Sequence, residues 1–583
     1  MRRSAAWFVL LSVLTLTGVA TAAEPVVVHA AKVDLSPPLR DLPAHVPNLE
    51  PVREINPLGS ISRPAPETGR AMAPDPVVQD FFTLPESVST TPAPSQNFEG
   101  MNNTFGVLPP DTTGHVGPNH FIQAVNLGFA VYSKSGVIAA GFPKLINTIW
   151  AGFGGSCQTH NDGDPVVLHD QLADRWLISQ FAVTYPGTDF WQCIAISQTA
   201  DPTGSWYRYA FQWTTGAPHK LNDYPHFGVW PDGYYMTVNQ FNGNGTGWAG
   251  AGVAVFERDQ MLIGGAADMI KFDIGLQTLN YGGMLPADLD GTILPQVGTP
   301  AFAAEWDNAG WIGDPVDTLR IWEIVPDFAV PANSTFGTNP AYDANALLTP
   351  ADAAWVFCGV GSPASRRCIP QPGGAVSNNL DAIGDGRLMY RMPYRNFNSH
   401  DSMLVLHTVD ADGDDTTAGV LHAAPRWMEI RGLAAGTPSI FQQGTYAPDS
   451  KHRWMPSIAM DKAGNIGLGY SLAEAASTTY ASVAYTSRVD TDPLGTLPGG
   501  EVVLQAGGGR QTHTANRWGD YSTMSVDPAD DCGFWYTQEY YGSTSSASWQ
   551  TRAGAFTMAD CTNLIFKDRF EAGNDDAWSS VVP

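Results

Sequence analysis

The 583-residue sequence predicts an all-β fold, built as one large β-propeller. Three observations carry that prediction. Short aromatic-rich runs bounded by Gly, Pro, Asn and Asp fill the body of the chain, amphipathic helical patterns are scarce, and one loose motif keeps returning.

The chain holds 59 glycines, 44 prolines and 18 tryptophans, a balance of turn formers and large flat side chains that suits many short strands. The returning motif is a polar anchor, a short apolar run, a turn containing Asp or Gly, and a second strand. It starts at Asp111, Asp164, Asp223, near Thr299, at Arg453 and at Asp520, and less regularly at Asp385. Known propeller repeats run about 40–50 residues; the spacing here is longer, so long insertions are expected between strands. Seven anchors predict seven blades, with six or eight as the neighbouring counts. Radial repetition lets each unit bury its faces against its neighbours, which is how a body spanning 96–565 can exceed the usual size of a single core. A pair of β-sandwiches is the competing architecture.

Residues 1–22 read as a secretory signal peptide. Met1-Arg2-Arg3 is followed by an apolar run from Ala5 to about Val19 and a small-residue cleavage site near Ala22. That run is shorter than the roughly 20 residues of a membrane span, so a secreted or periplasmic protein without a membrane span is expected. Residues 23–95 are Pro-rich and read as an extension that wraps the surface or stays partly disordered; residues 566–583 form a tail. Six cysteines fit an oxidising compartment. Fifteen pairings are possible; the sequential one, Cys157–Cys193, Cys358–Cys368 and Cys532–Cys561, is chosen because each pair can tie neighbouring strands.

A net charge of −26 argues against nucleic acid, whose binding depends on Lys and Arg neutralising phosphates. The sequence contains no G-x-S-x-G, H-E-x-x-H or P-loop pattern. Gly245 to Gly250 spells G-x-G-x-x-G, but between strand-like runs with no helix to follow it.

The chemistry expected of a propeller lies where equivalent ends of its inner strands converge. Asp111, Asp164, Asp223, Asp385 and Asp520 then ring one mouth, with Arg453 and Arg517 nearby. Crowded carboxylates cannot all ionise freely, so some pKa values rise, which is how an acid and its partner for glycoside cleavage arise. Asp164, Asp223 and Asp520 are the candidate catalytic residues; Asp111, Asp385, Arg453, Arg517 and His400 are the candidate substrate-binding ones. The arginines could hold a uronate or sialate carboxylate. The competing structural reading is that each Asp caps the turn of its own blade. Asp410, Asp412 and Asp414 have the composition of a calcium loop around Gly413, although the Glu of a twelve-residue loop is missing; Ca2+ is the one cofactor suggested.

Gly444–Asp449, His452–Ile466, Gly469–Ser471, Arg517–Cys532 and Trp535-Tyr536 resemble a widespread group of secreted bacterial β-propeller-like proteins of undefined activity, and the likeness covers most of residues 100–560. They also resemble the Asp-box of sialidase-type propellers, a Ser-x-Asp-x-Gly turn followed by an aromatic. Ser525, Asp527 and Gly533 to Trp535 supply its parts, as do Ser457, Asp461 and Gly464, both with altered spacing. The Asp-box implies a stabilised turn in a propeller and no catalytic role. Tyr390-Arg391-Met392-Pro393 matches the sialidase aromatic-Arg-x-Pro motif in letters but lies past mid-chain. The functional expectation is a hydrolase or lyase acting on an extracellular polysaccharide or glycoconjugate at a polar pocket. The alternative is a non-catalytic glycan- or protein-binding scaffold.

Overall fold

Strands such as Arg175–Val183, Phe190–Ser197 and Asp401–Asp410 are buried along almost their whole length, so both faces pack against neighbouring sheets, and such strands are stable only when stacked. The computed structural model describes residues 24–47, 52–55, 74–79, 90–214, 216–309, 312–338, 341–355, 367–382, 386–413 and 422–562. Among these, α-helix is confined to Ser156–Thr159, Arg258–Ile263 and Ala559–Thr562. No helix there is long and apolar enough to cross a membrane.

The strands form antiparallel four-strand runs in chain order. The first run is Thr113–Val116, His120–Val125, Gly128–Ser133 and Lys144–Leu145. Others begin with Val166–Asp170, Lys220–Trp230, Leu285–Asp290, Met392–Asn396 and His452–Met460. The last comprises Thr523–Val526, Gly533–Tyr540 and Gln550–Thr557, and takes its outermost strand, Gln96–Asn102, from the other end of the chain. Each first strand lies against the first strand of the next run, and Thr523–Val526 lies against Thr113–Val116. That closed circle is a β-propeller, and it excludes two stacked sandwiches. Leu285–Asp290 and Met392–Asn396 even pair in parallel, which merges their runs into one ten-stranded sheet.

One anchor falls elsewhere than expected. Thr299 leads into Ala301–Asp307, the second strand of its run, because the first strand, Leu285–Asp290, carries no leading Asp. Asp385 lies outside the described residues.

The Pro-rich extension is used as edging. Lys32–Leu35 adds a fifth strand beside Trp206–Gln212, and Val26–His29 adds one beside Asp268–Asp273. Farther on, the Asp75 carboxylate meets Arg426 at 2.5 Å, and the backbone N–H of Thr91 donates to the Gly499 carbonyl at 2.7 Å. Open strand edges invite pairing with other chains, and these segments cover them.

Between runs the core is aromatic. Trp150, Trp176, Trp206, Trp213, Trp230, Trp322, Trp427, Trp454, Trp518 and Trp549 are fully buried. Trp306, Trp535, Tyr536, Tyr540 and Tyr541 are buried as well, so these aromatics belong to the core. The guanidinium of Arg391 is fully buried between Asp288, 2.5 Å away, and Asp290. The sialidase-like motif therefore places its arginine inside the molecule as an ion-pair partner.

Cys157–Cys193 and Cys532–Cys561 are disulfides. Cys368 is also disulfide-bonded, while Cys358 lies outside the described residues. The two described bridges close loops of 36 and 29 residues. Replacing either pair by Ala is expected to cost about 2–4 kcal/mol through the freed unfolded chain. Denaturant midpoints of oxidised wild type and variant check this; equal midpoints would refute it.

Candidate active site

Four runs carry a residue in the left-handed region just before or within the first strand: Asp111 (φ 46°) and Asp164 (φ 45°), each two residues ahead of it, and Tyr224 (φ 54°) and Met455 (φ 49°) inside it. Each costs about 1–2 kcal/mol for a residue with a Cβ, and the recurrence shows one turn geometry serving several blades. Where Asp occupies the turn its short side chain tolerates the conformation. In the Lys220–Trp230 strand a register shift between Asp223 and His226 moves Tyr224 into the turn and leaves Asp223 just before it.

The turn gathers the leading acids. The Asp111 carboxylate accepts the backbone N–H of Asp520 at 2.7 Å through Oδ1 and the Asn126 amide at 2.6 Å through Oδ2. Asn126 Oδ1 in turn accepts the backbone N–H of Asp164 at 2.9 Å. Asp164 Oδ2 accepts the backbone N–H of Tyr224 at 3.1 Å. This chain of bonds passes from the last run through the first and second to the third. It also explains Gly163, because a Cβ there would stand 2.6 Å from Asn126 Oδ1. Asp111 and Asp164 thus act on backbone across run boundaries, a larger structural role than capping their own turns.

The remaining members are more open. Asp223, Arg387, Arg517 and Asp520 each keep part of their surface in solvent. Arg517 Nη2 donates to Asp520 Oδ1 at 2.6 Å and Nη1 to Glu54 at 3.3 Å, with Nε 3.4 Å from Asp381. Arg387 lies 4.6 Å over the Tyr224 ring and acts on Asp223. Glu539, fully buried, accepts the Gly519 backbone N–H at 2.7 Å. His226 is fully buried in a cage of Tyr224, Tyr390 and Tyr521, with ring centroids 4.2, 4.7 and 5.3 Å away.

Removal from water, reinforced by the charge of Asp520, raises the Asp111 and Asp223 carboxyls to about 7. Burial, then the charges of Asp223, Asp111 and Asp520, push Asp164 well above the carboxylate range. Burial also raises Glu539 well above it, against the Gly519 hydrogen bond. Burial and then Arg387 lower His226 to about 3, so its imidazole is neutral at pH 7.

The structure therefore brings together Asp111, Asp164, Asp223, Asp520 and Arg517. It does not bring Arg453 or His400 to them. Arg453 binds within its own run, to Glu501 at 2.8 Å and Asp449 at 2.9 Å, against the rings of Tyr446 and Tyr470. The residue in the leading turn there is Met455, two positions on. His400 sits in the hairpin after Met392–Asn396, beyond the end of a first strand and not at its start, stacked 4.9 Å from Phe397.

In the acidic loop, Asp410 Oδ1 accepts the backbone N–H groups of Asp412 at 3.3 Å and His422 at 3.0 Å, and burial raises this carboxyl to about 6. Asp414 lies outside the described residues, among which no group of three or more His, Cys, Asp or Glu is arranged to hold a metal. The turns compared with the Asp-box use their aspartates on backbone: Asp461 Oδ1 accepts from Ala463 and Asn465, and Asp527 Oδ1 accepts from Ala529.

Sequence reasoning missed Arg387, Glu539 and His226. Only Glu539 left a signal, a lone acid in the otherwise aromatic strand Gly533–Tyr540, where burial demands a partner.

No family model matches the chain, and no curated protein matches it. Several solved structures are similar in strand arrangement. A polysaccharide lyase has 10% identity and a TM-score of 0.36 over 85% of this chain and 98% of its own. An alpha-L-arabinanase from Penicillium chrysogenum has 10% identity and a TM-score of 0.32 over 68% and 99%. An alpha-L-arabinofuranosidase from Fusarium graminearum has 7% identity and a TM-score of 0.30 over 84% and 99%. Similarities this low assign no chemistry; the fold rests on the strand pairing and the closed circle.

Proposed function

We propose that this protein is an exported seven-bladed propeller enzyme that cleaves an extracellular glycan at a polar pocket at the mouth, with Asp223 as proton donor and Asp520 as its ionised partner. The observation behind this reading is the contrast between two carboxyls that act on each other. Asp223 is held up to about 7 by burial and by Asp520, while Asp520 faces the Arg517 guanidinium at 2.6 Å. Environments that drive two neighbouring acids apart separate an acid from a carboxylate. Glycoside hydrolysis needs that pair: the acid protonates the glycosidic oxygen as its bond to the sugar carbon breaks, and the carboxylate either attacks that carbon or activates the water that does. Disulfides fit the extracellular or periplasmic setting.

A non-catalytic glycan- or protein-binding propeller is the second reading. It is favoured by the carboxylates of Asp111 and Asp164, which accept backbone N–H groups that any closed circle of this kind must satisfy. Purified protein incubated with a polysaccharide panel separates the two, reading new reducing ends for hydrolysis and ultraviolet absorbance of unsaturated ends for elimination. Cleavage is the expected result. Saturable binding with no cleavage of any member would favour the second reading and sink the first.

A further inference from the structure

Resting on the enzyme reading above, we propose that the site takes a glycan bearing protonated amino groups and rejects chains bearing carboxylates. The charge at the mouth carries this. Asp111, Asp164, Asp223, Asp520 and Glu539 interact there, and the cations acting on them are Arg387 and Arg517. Arg517 is already divided among Asp520, Glu54 and Asp381. Arg387 is held over Tyr224 and acts on Asp223 and His226. Recognition of a substrate carboxylate needs a guanidinium fork facing it, and the Arg517 fork is closed by the protein's own acids.

A second observation points the same way. Glu539 Oε1 and both ring nitrogens of His226 are fully buried and have no hydrogen-bond partner among the described residues. Both side chains interact with Asp520, the partly open member of the cluster. Buried polar atoms are rarely left so in a native protein unless a water or ligand completes them. An ammonium brings three donors, which suit the acceptor nitrogen of the neutral His226 ring and the Glu539 carboxyl once its proton has left. A cation arriving beside Asp111 and Asp223, which titrate at about 7, also displaces protons from them.

Calorimetric titration of the whole protein at pH 7 with glucosamine, glucose and galacturonate oligomers of equal length tests the proposal. The glucosamine oligomer is expected to bind about tenfold tighter than the glucose one, the gain of one favourable charge contact at a partly solvated site. The galacturonate oligomer should show no binding. Glucosamine binding should weaken as salt shortens the screening length from about 30 to about 8 Å, and its heat should vary between buffers of different ionisation enthalpy as protons leave. Glu539→Gln should weaken it further; the salt and buffer readouts on wild type do not depend on how that variant folds.

Tighter binding of the galacturonate oligomer, or glucosamine binding indifferent to salt and buffer, overturns the proposal. Cleavage of a neutral or anionic glycan in preference to an amino glycan, abolished by Asp223→Asn, would overturn it while leaving the enzyme reading intact. Neither binding nor cleavage of any class would overturn both.

Discussion

Asp223→Asn is expected to lower turnover of the glycan that the wild-type protein cleaves by about 10²–10⁴-fold, the usual contribution of a positioned proton donor. The pH profile identifies the role. The acid works only when protonated, so wild-type activity should fall as pH rises through about 7, where Asp223 titrates. The asparagine variant should lack that alkaline limb. Asp520→Asn should also lose activity, with a distinct signature. Asp520 is the largest charge raising Asp223, so neutralising it lets the Asp223 pKa fall and moves any residual alkaline limb to lower pH. If both variants keep the full wild-type rate and profile, the catalytic pair has been placed at the wrong residues.

Arg391→Met is expected to destabilise the protein by about 3–5 kcal/mol, the usual cost of leaving a buried charge without its partner. Arg391 is fully buried and binds Asp288 and Asp290, which sit on a neighbouring first strand paired in parallel with its own. Removing the cation leaves two carboxylates facing each other where water cannot reach. The combined change Asp288→Asn, Asp290→Asn and Arg391→Met removes all three charges and should recover most of the loss, because an uncharged cluster carries no such penalty. Urea midpoints of the three proteins decide it. An unchanged midpoint for the single variant would mean that the buried ion pair does not hold these strands.

The leading acids were legible because the fold repeats. Asp111, Asp164, Asp223 and Asp520 lie near the leading ends of first strands, within one position of one another in the repeat, so their convergence follows from the repeat. Arg453 was misplaced for a physical reason: the left-handed residue of that turn is Met455, and Arg453 instead turns to Glu501 and Asp449. Glu539 and His226 escaped because neither leads a repeat. Glu539 lies near the end of a second strand, and His226 follows a register shift that no periodic pattern announces. Nor does a sequence reveal that Asp111 and Asp164 reach into neighbouring runs, since those bonds join residues up to 409 positions apart.

The outermost strand of the last run has a consequence for the order of biosynthesis. Gln96–Asn102 leaves the ribosome some 450 residues before its partner Gln550–Thr557; the Thr551 hydroxyl reaches the Met101 carbonyl across 450 residues. A nascent chain therefore carries an unmatched edge while the residues between the two strands are made, and contacts this distant in sequence form slowly. Truncated products would keep that edge exposed and ready to stick to other chains. Only a chain made through Thr557 can complete the ring.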